Sequence, residues 1–112
     1  MYLYKGFEDT IAAIITPSGT GGVGTVRLSG TDAFMILARV FAGKKPTQPS
    51  SWKTFTVHYG WIKTPAGDLL DEALVSVMRA PKSYTCEDVA EISCHGGPAA
   101  VRAVLELCLE HG

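Results

Sequence analysis

Residues 54–78 constrain the fold of this chain more than any other stretch. Along TFTVHYGWIK, Phe55, Val57, Tyr59 and Trp61 share one face of an extended chain, and Thr54, Thr56 and His58 share the other. Alternation at a period of two marks a strand. TPAGD, residues 64 to 68, has the proline and glycine of a hairpin-like turn. ALVSVM, residues 73 to 78, is nearly all apolar, which predicts a central strand covered on both faces. Strands joined by so short a turn pair antiparallel. The chain must therefore build a sheet, and the other elements must find places on it.

IAAIIT, residues 11 to 16, is an apolar run ended by Pro17 and reads as a buried strand. TVRLS, 25 to 29, reads as a second. Thr31 is placed as a helix N-cap with Asp32 in the first turn. Ala33, Phe34, Leu37, Val40 and Phe41 then fall on one helical face, and Gly43 terminates it. GKKPTQPSS, 43 to 51, and APKSYT, 80 to 85, are loops. Val89 to Ser93 is a further strand. Pro98 starts a last helix with an apolar stripe of Val101, Val104, Leu105, Cys108 and Leu109, and His111 suits its C-terminal dipole. The order β-β-α-β-β-β-α predicts a single α+β domain over residues 1–112, with helices packed on a mostly antiparallel or mixed sheet.

Such a sheet needs apolar material to cover it, and a hydrophobic content of 46% supplies an ordinary core. The net charge of −1 argues against a nucleic-acid grip by this domain alone, and Lys44–Lys45 is a solvated loop pair. Cys86, Cys94 and Cys108 are odd in number and lack a C-x-x-C pair, which favours a reduced, cytoplasmic protein over a disulfide scaffold or zinc site. MYLYKGFEDT has no basic segment followed by an apolar one, as a signal peptide would. No apolar run approaches the ~18 residues that span a membrane.

PSGTGGVGTVRLSG, residues 17 to 30, spells a nucleotide fingerprint: Gly19, Gly21 and Gly24 fit G-x-G-x-x-G, and Gly19 and Gly24 have P-loop spacing. The chemistry fails on both counts. A P-loop needs Lys and Ser/Thr after its last glycine, where this chain has Thr25 and Val26. A dinucleotide loop must open a helix whose N-terminus holds the pyrophosphate, and TVRL reads as a strand. Two readings remain: a tight connection between strands, or a bare loop (Gly21, Gly22, Gly24) packed close to a ligand.

DTIAAIITPSGTGGVGTVRLSG, followed by DEALVSVMRAPKSYTCEDVAEISCHGG, closely resembles the N-terminal domain of the MnmE (TrmE) family of tRNA modification GTPases. The family pattern runs DTI-A-AT-PG-GG-G-VR-SG, then SYTGEDV-E---HGG, and the likeness covers Asp9 to Gly112. It implies a fold similar to the folate-binding domain of the glycine-cleavage aminomethyltransferase. It implies binding of a tetrahydrofolate derivative, 5-formyl- or 5,10-methylene-tetrahydrofolate, as a one-carbon donor. It also implies homodimerisation within a cytoplasmic protein. The full-length family protein is a potassium-dependent GTPase that, with the flavoprotein MnmG (GidA), modifies carbon 5 of the tRNA wobble uridine. The GTPase domain with its GTP, potassium and magnesium, the helical domain and a further folate-contacting lysine would lie outside these residues. The domain is expected to bind without catalysing.

Two family folate-binding positions carry over, to Arg27 in VRLSG and to Glu91 in EDVAE. A carboxylate can accept the adjacent N–H and amino donors of a reduced pterin together, and an arginine suits a carboxylate or carbonyl oxygen. Without the resemblance, each would read as a solvated strand residue. Thr20 stands where the family often has Arg, and Cys86 where it usually has Gly. The Thr20 departure also leaves open an assembly module in which folate binding is lost. Glu87 and Asp88 are read as capping a short turn, and Cys94–His95 as no metal site. Tyr84 is read as a ring contact or a loop anchor.

Overall fold

The computed structural model describes residues 10–15, 24–45, 47–81, 87–95 and 97–111. The expected hairpin is there: β4 (Thr56–Lys63) and β5 (Leu69–Met78) pair antiparallel. Their turn is closed by Thr64 N–H donating to the Asp68 carbonyl at 2.8 Å and Gly67 N–H donating to the Thr64 carbonyl at 2.9 Å. A second pair comprises β1 (Ile11–Ile14) and β2 (Gly24–Ser29). β6 (Val89–Cys94) lies between β2 and β5 and bonds to both, which joins the two pairs into one sheet. The order is β1-β2-β6-β5-β4-β3, where β3 is Phe41–Gly43 on the edge beside β4. Among the described residues every pair is antiparallel, so the sheet is not mixed.

β3 corrects the sequence reading. The first helix, α1 (Ala33–Val40), stops before Phe41, which is extended (φ −125°, ψ 130°) and pairs with Ile62. Phe41 satisfies helical periodicity, but pairing its backbone along β4 buries its ring at the sheet edge (5% exposed). Thr31 is not the N-cap either. The Asp32 N–H donates to Thr10 Oγ1 at 2.9 Å, so a residue at the start of β1 satisfies this donor at the helix entrance.

α1 and the second helix, α2 (Gly97–His111), cover the same face of the sheet. Val26 and Leu28 of β2, Val75 and Val77 of β5, and Ile92 of β6 are fully buried against Leu37 and Val40 of α1 and Val101, Val104 and Cys108 of α2. The α2 stripe is turned from the one expected: Leu107 is buried (9%) and Leu109 exposed (53%). The docked face is thus centred on Val104, with Leu107 three residues on and Cys108 four.

Among the described residues the opposite sheet face is open along β4 and the middle of β5 and closed at one end, where Ser29, Val89 and Met78 are buried. β5 is therefore covered on both sides only at Met78, against the expectation for the whole of ALVSVM. Ala73, Val75 and Val77 point to the core, while Leu74 is 48% exposed. The aromatic alternation of β4 belongs to this open face as well, with Val57 61% and Tyr59 38% exposed.

Beneath the β3 edge, Trp52 stacks on His58 (centroids 3.6 Å, 10° between planes) and meets Phe41 edge to face at 5.8 Å. Arg79 holds the adjoining 3-10 turn, Pro49–Ser51. Its guanidinium donates to the carbonyls of Trp52 at 2.6 Å, of Pro49 at 3.3 Å and of Ser50, and it lies 4.8 Å from the Phe34 ring centroid.

The His58 stack sets a pH dependence. Thr56 donates its single hydroxyl proton to the Lys53 carbonyl at 2.6 Å, so at 2.8 Å it accepts from Nε2–H of His58. Burial, then the charge of Lys45, hold the imidazole below its ordinary value of 6.5. The unfolded chain therefore takes up this proton first as the pH falls, and stability drops with it. The loss stops once the native imidazole is protonated too. Urea unfolding followed from about pH 7 to about pH 5 should show the midpoint falling. His58→Gln should remove part of that fall, and an unchanged slope in the variant would contradict the assignment.

Candidate functional site

The open face takes its chemistry from strand register. Residues 26, 28, 90 and 92 are fully buried on the helix side, so their neighbours Arg27 and Glu91 project to the other side. β2 and β6 pair with Arg27 directly opposite Glu91, and Ser76 of β5 follows in the same row. The next row reads Thr25, Ser93, Leu74, Tyr59, and the one beyond it contains Glu72 and Trp61.

Arg27 and Glu91, 64 positions apart in sequence, form an ion pair. Nε and Nη2 of Arg27 both donate to Oε2 of Glu91, at 2.9 and 2.6 Å. Among the described residues, Oε1 accepts no hydrogen bond. The two side chains are 28% and 20% exposed. A partly solvated pair of this kind contributes on the order of 1 kcal/mol or less. A hydrogen bond to a charged group is worth roughly 1.5–3 kcal/mol. A ligand that bonds both groups can therefore replace the pair, and the site fits a molecule with adjacent N–H donors for the carboxylate and an acceptor for the guanidinium.

One row along, a cavity of about 220 Å³ is lined by Tyr59, Glu72, Ala73, Leu74, Ser93 and His95. The Tyr59 hydroxyl donates to Glu72 Oε2 at 2.9 Å, and its ring meets Trp61 edge to face at 5.3 Å. That hydrogen bond, burial and the Glu72 charge raise the phenol above its usual range, so the tyrosine stays a neutral donor. Thr25 Oγ1 and Ser93 Oγ lie 3.1 Å apart, between the cavity and the ion pair. A smaller cavity of about 150 Å³ at the β3 edge is bordered by Lys44, Lys45, Trp52 and His58.

The structure thus brings together the two residues singled out from sequence. Gly24 lies on the helix side: a Cβ there would sit 2.0 Å from Cγ2 of Val101, so its bareness lets α2 approach β2. Gly24 opens a strand, as the argument against a nucleotide loop required. Gly21 and Gly22 lie outside the described residues, as do Thr20, Tyr84 and Cys86. Cys94 is buried toward the core while His95 is exposed, so these neighbours do not converge. Asp88 closes a loop: its Oδ1 accepts from Ala80 N–H at 2.9 Å and its carbonyl from Gly30 N–H at 2.9 Å. Sequence reasoning missed Tyr59, Glu72 and Leu74 as a group. The turn at 64–68 signalled that β4 and β5 pair, but counting outward from it sets Tyr59 opposite Ala73, and the bulge at Ile62/Lys63 moves the pairing to Leu74.

Comparison with known proteins adds an independent line. The family model described as GTP-binding protein TrmE N-terminus matches residues 10–112. A tRNA modification GTPase MnmE of Carboxydothermus hydrogenoformans is 58% identical over 106 residues, which is 94% of this chain and 23% of that protein. The MnmE of Symbiobacterium thermophilum is 52% identical over 105 residues, 94% of this chain and 23% of that protein. The MnmE of Acetivibrio thermocellus is 50% identical over 111 residues, covering 98% and 23%. The chain therefore spans about a quarter of the length of these relatives. Among the described residues no helix is long and apolar enough to cross a membrane.

Proposed function

The chain belongs to the TrmE N-terminal family, and on that premise we propose that it binds a tetrahydrofolate derivative on its open sheet face and pairs with a second copy of itself. The observation that carries this reading is the Arg27–Glu91 pair, whose Oε1 accepts no hydrogen bond among the described residues, set on the sheet face turned away from the helices. Glu91 accepts the donor pair of the reduced pterin, and Arg27 bonds a carbonyl or carboxylate oxygen of the ligand. Bound folate supplies a one-carbon group, and the chain's own residues hold and orient it. The antiparallel sheet with both helices on one face supports a likeness to the folate-binding domain of the glycine-cleavage aminomethyltransferase.

In this proposal the domain serves a cytoplasmic, potassium-dependent GTPase that modifies carbon 5 of the tRNA wobble uridine together with MnmG. GTP hydrolysis with its magnesium belongs to another domain. Titration calorimetry with 5-formyltetrahydrofolate tests the binding: saturable heat supports it, and a flat titration overturns it. The exposed Val57, Tyr59 and Leu74, with Leu69 (57%) and Leu70 (51%) on β5, favour the pairing. Should the titration stay flat while sedimentation gives a dimer, the domain is an assembly module instead.

A further inference from the structure

We infer that the β3 edge binds a single nucleic-acid strand, with a backbone phosphate in the cavity at Lys44, Lys45 and Thr47 and a base stacked on Phe55. The inference goes beyond the folate reading and uses neither Arg27 nor Glu91. Only the choice of RNA as the strand rests on the tRNA reading above.

Charge distribution is the first argument. From Ala33 to Gly67 the chain carries Arg39, Lys44, Lys45, Lys53 and Lys63 and neither Asp nor Glu. Half of its 10 basic side chains therefore fall in a stretch that holds none of its 11 acidic ones. That stretch builds α1, β3, the 3-10 turn and β4. A net charge of −1 thus conceals a positive edge on the sheet, where a polyanion gathers.

The cavity is the second argument. Its volume of about 150 Å³ falls below the ~300–1,000 Å³ of sites that enclose a whole small ligand. It suits one group of a longer molecule. Among the described residues, Lys44, Lys45 and Thr47 border it and no carboxylate does. Backbone bonds fix this segment: Lys44 N–H donates to the Tyr59 carbonyl at 2.9 Å, and Thr47 N–H donates to the Lys45 carbonyl at 2.8 Å. Thr47 Oγ1 accepts from Nε1–H of Trp52 at 2.9 Å, so its own hydroxyl proton is left for another acceptor, and among the described residues it meets none. The Lys45 charge reaches the cavity wall, where it is the second cause, after burial, that lowers the His58 imidazole. Two ammonium groups and a hydroxyl proton form a donor set for phosphate oxygens.

Phe55 is the third argument. It lies just before β4, is 65% exposed and has φ 60°, in the left-handed region that bulky residues avoid. Its N–H donates to the Val77 carbonyl at 2.8 Å, which holds the chain in that conformation. Glycine would relieve the strain, so the ring costs the fold stability and adds little buried surface in return. An exposed ring placed in the chain between Lys53 and the wall residue His58 matches single-strand binding, in which lysines track the backbone and rings take the bases.

The test is fluorescence anisotropy of a labelled decauridylate at low salt, titrated with this chain. Lysine contacts make log K fall against log salt, and Lys44→Gln with Lys45→Gln should flatten that slope by about 1.4. Phe55→Gly should lower affinity roughly tenfold while leaving the urea midpoint unchanged or raised, since glycine suits φ 60°. Duplex RNA of the same length and polyglutamate should compete poorly. No binding by the native chain overturns the inference. So does a slope unmoved in the lysine variant, an affinity unmoved in Phe55→Gly, or equal displacement by the duplex or the polyglutamate. Titration of 5-formyltetrahydrofolate into the same sample keeps the two readings apart. Folate heat without RNA binding removes this inference alone, and RNA binding with a flat folate titration removes the folate reading alone.

Discussion

Glu91→Gln is expected to weaken 5-formyltetrahydrofolate binding about 100-fold, equivalent to about 2.7 kcal/mol, with little change in stability. The size follows from the chemistry of the group. Glutamine keeps the shape of the side chain but loses its charge, and it puts an NH₂ donor where the ligand also presents donors. Two charge-assisted hydrogen bonds are exchanged for one neutral bond and one donor–donor contact. The stability cost is small because the native partner of Glu91 is Arg27 in a pair that is 28% and 20% exposed, and such pairs contribute little. This contrast separates a ligand group from a structural ion pair. A variant that loses stability but binds normally would assign the pair to the fold alone. Calorimetry and urea unfolding on the same sample decide between them.

The largest expected effect on folding lies at Gly60. It sits in β4 on the helix side, opposite Gly43 of β3. A Cβ there would lie 2.2 Å from the Ala42 carbonyl oxygen and 2.8 Å from the Gly43 Cα, with the Phe41 ring at 2.6 Å. Two of these three atoms are backbone, which has no rotamer with which to yield. Gly60→Val must push β3 off the sheet edge and unseat Phe41 from Trp52. Overpacking costs typically about 1–3 kcal/mol, and a clash with backbone places this one at about 3 kcal/mol, a large share of the roughly 5–15 kcal/mol that holds a domain together. The urea midpoint should fall sharply or the protein should fail to accumulate. A midpoint within error of the native one would mean that β3 does not pack over Gly60.

Gly60 also illustrates where sequence reading stops. Period-two alternation located β4, and its apolar set was visible, but alternation does not say which face the helices take. The helix side of β4 is made by Gly60 and Ile62 with the β3 edge laid over them, and that leaves the aromatic side open. β3 was invisible for a related reason. Phe41 continues the helical spacing of Phe34 and Leu37, and only the availability of β4 as a partner makes it extended.

The run ALVSVM conceals its two faces because its open-side residue, Leu74, is as apolar as its buried ones. α2, by contrast, was legible as an element, since its contacts repeat locally every three or four positions, although its buried stripe takes in Leu107 and leaves Leu109 out. For the site, resemblance supplied Arg27 and Glu91, and local patterning contributed only that each lies in a strand. Their pairing across 64 positions is a property of β6 entering the sheet between the two hairpins. Tyr59 of β4 meets Glu72 and Leu74 of β5 only through register, which a bulge at Ile62/Lys63 shifts near the turn.

The central claim is that the open face around Arg27 and Glu91 is where this domain takes its ligand. Backbone amide chemical-shift mapping with 5-formyltetrahydrofolate tests it most directly. The account predicts saturable shifts at Arg27, Glu91, Ser93 and Leu74, with α1 and the β3 edge unmoved. Shifts gathered instead at Lys44, Lys45 and His58 would contradict it, as would a spectrum unchanged at saturating ligand.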